Sequence, residues 1–526
     1  MKKIVIYSVF LMLCLPVFTV TSSQYRSNMS NNFLGSIIEK SDFDPLVDIS
    51  VTVKINQIRS LEKRDKRLLP IDKIDLTSDP DFYVKVIIND EEFTSPVYEN
   101  MKYVYDPQWS ATLNVPDDEE LVNITIQLWD SNQPNDRLCD ISDNIGDYYE
   151  GLDIDLWYSI KSGHWFGDDY ISHEGWAGPD LSGYGRLNGC DDNSIYQRNR
   201  DCEIWFNIYQ NDFDMDGIPY WTEVNVFNTD PELDDTGLDS DNDSIPIEWE
   251  NKWGHEFRRN YWNDSYEHEW IYDPFIWDDH ENIDKDNDGL NNVEEYLTSQ
   301  WGSDPFRRDL FIELDQMEAG PNGELAILLP EGSKELLQTA HDKQNIVYHL
   351  DDGSWEGSGS DMIPFDNETE MSWGGGTDEL DQIYIDYFLH GYQDNWRRGV
   401  FHYGVIIYQC SLVNGNAFGN NRFQISSKGL NEKARSLPLR SRDIVFASAY
   451  MHESGHTLDI HNPGVDNEET IYPWYFDWWK FRPYQSVMNY GYMYSSIIDY
   501  SDGSRGLNDF DDWHDLDLTY FDREHW

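Results

Sequence analysis

The 526-residue chain has few cysteines, few positive charges and, beyond its first twenty residues, no long apolar run. Five cysteines without a single CxxC pair argue against a cysteine-ligated zinc site. Cys190 and Cys202 flank a loop of Asp, Asn, Gly and Arg, and they are the pair expected to join in an oxidising compartment. Only 38 Lys and Arg stand against 99 Asp and Glu, a formal net charge of −61. That balance argues against nucleic acid and anionic membranes as partners. The one apolar run, Ile4 to Val20, follows Met1-Lys2-Lys3 and precedes Thr21-Ser22-Ser23. It reads as a secretory leader over 1–23, containing Cys14, so a secreted, extracellular protein is expected. An uncleaved anchor is the competing reading, near the lower length limit for spanning.

What the chain has in abundance is carboxylate and aromatic side chain. Aromatics make up 15%, with 21 Trp, which excludes a merely disordered acidic chain. Self-repulsion on this scale destabilises a fold unless salt or bound divalent cations neutralise it. The spacing of the carboxylates favours cations. Three windows repeat one pattern: Asp212, Asp214, Asp216 with Glu223; Asp239, Asp241, Asp243 with Glu250; and Asp284, Asp286, Asp288 with Glu295. Oxygen donors at positions 1, 3 and 5, a tight turn at 6 and a carboxylate at 12 suit calcium. Ile218, Ile245 and Leu290 occupy position 7, where the side chain is free to anchor the loop. Ser244 replaces the turn glycine, which makes the second loop the weakest of the three. These EF-hand-like windows resemble dockerin-type and thrombospondin type 3-like calcium repeats over about 210–305, which implies a stiff, calcium-ordered spacer.

Upstream, Ile49, Val51, Val53 and Ile55 alternate as in a half-buried strand, and further strand-like runs lie at 82–88, 111–115, 122–129 and 202–209. An antiparallel sandwich is expected. Asp79-Pro80-Asp81-Phe82-Tyr83, Asp106-Pro107-Gln108-Trp109 and Leu128-Trp129-Asp130-Ser131-Asn132 resemble segments of C2 domains. The resemblance implies Asp79, Asp130, Asn132 and Asp136 as calcium ligands, with Asp72 or Asp75 as a fifth, and a calcium-dependent surface or lipid contact. A Gly-, Trp- and Asp-rich insertion at about 145–200 interrupts the family pattern and is assigned no structure.

From Arg308 strands alternate with helices: strands at 309–314, 346–350 and 399–408, an edge strand at 423–426, and a helix at 333–341. A helix from Ser441 then runs into His452-Glu453-Ser454-Gly455-His456. An H-E-x-x-H places two imidazoles one turn apart on one helix face, with a carboxylate beside them to act as general base. Downstream stands Ser486-Val487-Met488-Asn489-Tyr490. Together these segments resemble the metzincin metallopeptidases over about 303–526, which implies a zinc endopeptidase. Met488 would form the apolar floor of its site, and Tyr490 would assist at the oxyanion. The family's glycine is Asp459 in this chain, and its third histidine position holds Asn462. The third zinc ligand is therefore His461, after an altered turn, or Asp466.

The expected fold class is multidomain: a C2-like antiparallel β-sandwich with an insertion (45–210), a calcium-loop helical spacer (211–302) and an α+β metzincin-like catalytic domain (303–526). The expected cofactors are zinc and calcium, and the expected partners are protein or peptide substrates. The alternative is a calcium-dependent surface or adhesion protein with a degenerate peptidase domain.

Overall fold

A computed structural model describes residues 49–61, 74, 78–116, 119–132, 135–142, 151–168, 185–189, 200–260, 265–324, 328–355, 357–371, 378–393, 395–410 and 413–520. The leader, Cys190, Asp72 and Asp75 lie outside them. Ten strands build the first module: β1 (Ile49–Ser60), β2 (Phe82–Ile88), β3 (Glu91–Thr94), β4 (Tyr103–Val115), β5 (Leu121–Asp130), β6 (Arg137–Leu138), β7 (Ile154–Ser159), β8 (His164–Gly167), β9 (Gly185–Asn188) and β10 (Cys202–Tyr209). They form two antiparallel sheets, ordered β4-β1-β10-β9 and β3-β2-β5-β7-β8, with β6 on β5. Ile49, Val51, Val53 and Ile55 alternate into a core shared with Val84, Val86, Ile124 and Ile126 of the facing sheet. Asp106 and Gln108 take left-handed backbone angles inside β4, opposite a register shift at Ile55/Gln57, so the Asp-Pro-Gln-Trp segment is a β-bulge.

The 145–200 segment, without an assignment in the sequence, supplies β7, β8 and β9. These strands are short and broken by turns, so no periodicity long enough to read precedes them. Cys202 is a buried free thiol whose pKa is raised by burial and then by the neighbouring Cys139; Cys190, its expected disulfide partner, lies outside the described residues.

The spacer holds the three carboxylate loops, each followed by a short helical segment: Tyr220–Phe227 after the first, α1 (Ile247–Trp253) after the second and α2 (Asn292–Thr298) after the third. It is not wholly helical: β11 (His255–Asn260) and β12 (Ser265–Trp270) form an antiparallel hairpin. Ile218, Ile245 and Leu290 are buried, each pinning its loop to a core.

The last module carries β13 (Arg308–Met317), β14 (Ile346–Asp351), β15 (Met362–Ile363), β16 (Phe401–Ile407), β17 (Gly415–Ala417) and β18 (Arg422–Ser426). Its mixed sheet runs β14-β13-β16-β18-β17, parallel except for β17 against β18. The edge is therefore β17, and β18, expected at the edge, is interior. Gly415-Asn416-Ala417 is too short and too polar to announce a strand. Helix α3 (Glu331–Asp342) crosses from β13 to β14, and α4 (Ser427–Ser436) and α5 (Arg442–His456) follow the sheet. Tyr348 donates its hydroxyl to that of Tyr450 at 2.9 Å, and Ser333 donates to the Asp443 carbonyl at 2.8 Å, which ties β14 and α3 to α5. Among the described residues no helix is long and apolar enough to cross a membrane.

A buried charge network joins the first module to the last. Glu203 accepts from both Arg59 and Arg186. Arg59 pairs with Asp342 at 2.6 Å, and Arg186 reaches the Asp342 carbonyl and Asn345. Removing Glu203 would leave two buried guanidinium groups with a single carboxylate, Asp342, to balance them. Glu203→Ala is expected to cost about 3–5 kcal/mol in urea unfolding of the intact chain; a loss below about 1 kcal/mol would contradict the joint.

Candidate metal centres

Helix α5 begins at Ser441, whose hydroxyl accepts from the Ile444 N–H at 3.2 Å. It carries no Gly or Pro until Gly455. Its last turn delivers His452 and His456 to one face, with ring centroids 5.0 Å apart. His452 Nδ1 lies 2.9 Å from the Val487 carbonyl and His456 Nδ1 lies 3.1 Å from the Ile460 carbonyl. A carbonyl can only accept, so both Nδ1 atoms carry protons and both Nε2 lone pairs are left for a ligand.

Asp466 completes the cluster. Its carboxylate lies 3.5 Å from His452 Nε2 and 3.7 Å from His456 Nε2, and the three donor atoms fall within 4.8 Å of one another. His461 lies outside it: its Nδ1 faces Asp459 at 3.4 Å, and its side chain is 54% exposed. Asp459 has φ +59°, the left-handed turn for which glycine or Asp is suited, and the His461 ring that follows stays 5.0 Å from that of His456, centroid to centroid. In the ion-free chain burial opposes charging of His452, but Asp466 and Glu453 outweigh it and raise its pKa. His456 is lowered to about 4 by burial and by His452. Asp466 is lowered despite burial, through His452, His456 and the Tyr490 hydroxyl.

Glu453 is buried and pushed up to about 7 by burial, with His452 and the Ala417 N–H opposing the rise and Asp466 adding to it. It stands against β17, where a Cβ on Gly415 would lie 2.5 Å from its Oε1. Tyr490 lies beside His452, with ring centroids 5.4 Å apart. Met488 is buried beneath the pair, and a Cβ on Gly455 would lie 2.6 Å from its Sδ. Gly415, Gly455 and the two carbonyls were not singled out from the sequence. Only the small residue before His456 signalled any of them.

The three carboxylate loops share one geometry. The first Asp accepts from the N–H groups of positions 4 and 6: Met215 and Gly217 on Asp212, Asn242 and Ser244 on Asp239, Asn287 and Gly289 on Asp284. All six donors have positive φ, and Ser244, at +84°, takes up strain that glycine avoids elsewhere. Asp216, Asp243 and Asp288 also accept from later backbones, those of Asp235, Asp278 and Asp309. Asp214 and Asp241 keep both carboxylate oxygens buried and without a hydrogen bond, and one oxygen of Glu223, Asp286 and Glu295 is in the same state. Such orphaned oxygens, converging with like-charged neighbours, are a donor set that fits calcium.

In the sandwich, Asp130, Asn132 and Asp136 meet at one end, but already partnered. Asp130 faces Arg137 at 3.4 Å and accepts from Asn132, and Asp136 accepts from Tyr83 at 3.0 Å. Asp79 faces Lys102 at 3.8 Å.

No family model and no curated protein matches the sequence. Parts of the chain are similar to solved structures. A structure of a C2 domain matches at 12% identity, over 31% of this chain and 98% of that one, with a TM-score of 0.17. The calcium-bound pair of C2 domains of Extended-Synaptotagmin 2 matches at 10% identity, over 32% of this chain and 47% of that one, with a TM-score of 0.18. Human GIVD cytosolic phospholipase A2 matches at 12% identity, over 32% of this chain and 17% of its own, with a TM-score of 0.18. The sandwich rests on its own strand pairing, not on these likenesses.

The placement of Asp466 and His461 separates them experimentally. Asp466→Ala is expected to weaken zinc binding by more than the roughly 10–100-fold that losing an outer partner costs, while His461→Ala leaves it within about twofold. Titration with a zinc indicator checks both; the reverse ranking would place the third ligand at His461. The ion-free loops also make stability depend on pH. Burial first, and then neighbouring carboxylates, push Asp241 up to about 7, Glu223 to about 8 and Glu250 to about 10. Acids whose folded pKa is raised favour the fold below their unfolded pKa, about 4, and lose that contribution as pH climbs through the folded values. In chelator the melting temperature is expected to fall between about pH 5 and about pH 9, and calcium to suppress the part of the fall that Glu223 contributes. A fall of equal size with calcium present would contradict this.

Proposed function

We propose that the chain is a secreted zinc endopeptidase of the metzincin type, stabilised by calcium. The observation that carries this reading is the convergence of two imidazole lone pairs and the Asp466 carboxylate beside Glu453, under the edge strand β17. Two histidines and one carboxylate form a donor set that suits zinc and leaves a coordination position open. When bound, zinc supplies Lewis acidity for a peptide carbonyl and for the attacking water.

The protein's own groups carry the remaining work. Val487 and Ile460 hold the imidazoles in their tautomer. Glu453 takes the proton of the attacking water and passes it to the leaving amine, a role suited to a carboxylate poised near 7. The Tyr490 hydroxyl donates to the developing oxyanion. An extended peptide can add to β17 through its backbone, which would set the scissile bond over Glu453. The C2-like module then serves as an accessory for calcium-dependent contact with a surface or lipid.

Casein digestion by the full chain tests this. Glu453→Gln is expected to remain folded and zinc-loaded while losing about 10²–10⁴-fold in activity, and chelation is expected to abolish activity in the unsubstituted protein. Full activity in Glu453→Gln would overturn the reading. Calcium binding without any zinc at His452 and His456 would favour a calcium-dependent surface protein instead.

A further inference from the structure

The second carboxylate loop differs from its two neighbours in what faces its ion position. Glu223 accepts a hydrogen bond from the Thr229 hydroxyl, and Glu295 accepts one from the Ser303 hydroxyl. Glu250 has no such donor. It is 0% exposed, and both its oxygens are without a hydrogen bond. In place of a hydroxyl stands an imidazole from outside the twelve-residue window. His280 Nε2 lies 3.1 Å from Asp243 Oδ2 and 3.9 Å from Glu250 Oε1. The donor atoms of Asp243, Glu250 and His280 lie within 4.8 Å of one another, and all three residues are buried.

His280 reaches this place through the backbone. Asp278 N–H donates to Asp243 Oδ2 at 3.2 Å, as Asp235 does to Asp216 and Asp309 to Asp288. Two residues beyond each of those donors stand Gly237, His280 and Phe311, so only the second loop receives an imidazole by this route. The other ring nitrogen has a support as well. His280 Nδ1 lies 2.8 Å from the Asn292 amide, whose Oδ1 is buried and otherwise without a partner. Turned over, that amide accepts the Nδ1 proton and leaves the Nε2 lone pair facing Asp243 and Glu250. Calcium takes oxygen ligands, whereas imidazole suits zinc and other divalent transition ions.

We propose that the second loop is a mixed nitrogen–oxygen centre for a divalent transition ion, held by Asp239, Asp241, Asp243, Glu250 and His280. It is a structural site, separate from the proposed catalytic centre and unlike the flanking loops in its ion. The test uses the full chain with His452→Ala and His456→Ala, which removes the other zinc position, and zinc alone as the probe in excess calcium. One zinc is expected to remain per chain, with an X-ray absorption spectrum of one imidazole among oxygen donors. His280→Ala and His280→Gln are expected to weaken zinc at least about tenfold while retaining calcium. Zinc displaced by calcium, a spectrum lacking the single imidazole, or equal zinc affinity in folded His280 variants would overturn the proposal. Should both variants fail to fold, the absorption spectrum of the chain with His280 intact decides it.

Discussion

The structure depends on the neutralisation of carboxylates that the chain itself buries. Glu250 and Glu295 are enclosed among other acids, and repulsion at such short range in a partly dry environment is costly. Two solutions recur through the molecule. Where the modules meet at Glu203 and Asp342, the chain supplies Arg59 and Arg186. In the loops backbone N–H groups satisfy the carboxylates at positions 1 and 5, whereas those of Asp214, Asp241 and Glu250 accept no hydrogen bond and are the ones the proposed cations would neutralise.

This division links the spacer to the last module. Asp288 of the third loop accepts from the Asp309 N–H at 2.7 Å, and Asp309 in turn pairs with His349 at 2.5 Å. The Asp309–His349 pair joins β13 to β14, so the third loop is tied to the first strands of the sheet that carries β17. Through Tyr348 and Tyr450 the same strands brace helix α5. The third loop is thereby coupled by direct contacts to the helix that carries His452 and His456, and the proposed calcium there would brace the frame of the proposed zinc centre without touching it.

Much of this was legible in the sequence because local pattern and final structure agree. The alternation of Ile49 to Ile55 predicts an inward face, and the three loops adopt the turn their spacing requires, with Ile218, Ile245 and Leu290 inward. The Ser441 cap, the motif helix and the left-handed turn at Asp459 also follow from residue type. What escaped the sequence is set by distance or brevity. Asp466 and His461 are equal candidates in the sequence; in the fold the Asp466 carboxylate meets both Nε2 atoms, whereas the His461 Nδ1 faces Asp459. His280 lies 30 residues from Glu250 with no spacing rule to connect them. Strand β17 is three residues without an apolar face, and β7 to β9 sit in a segment whose turns hide their periodicity.

At the centre of the proposed function His452, His456 and Asp466 would hold one zinc ion beside Glu453. Crystals of the zinc-loaded chain, measured on either side of the zinc absorption edge, test it most directly. An anomalous peak is expected within bonding distance of His452 Nε2, His456 Nε2 and an Asp466 oxygen, with His461 not ligated. A peak ligated by His461 in place of Asp466, or none between the two helix histidines, would contradict it.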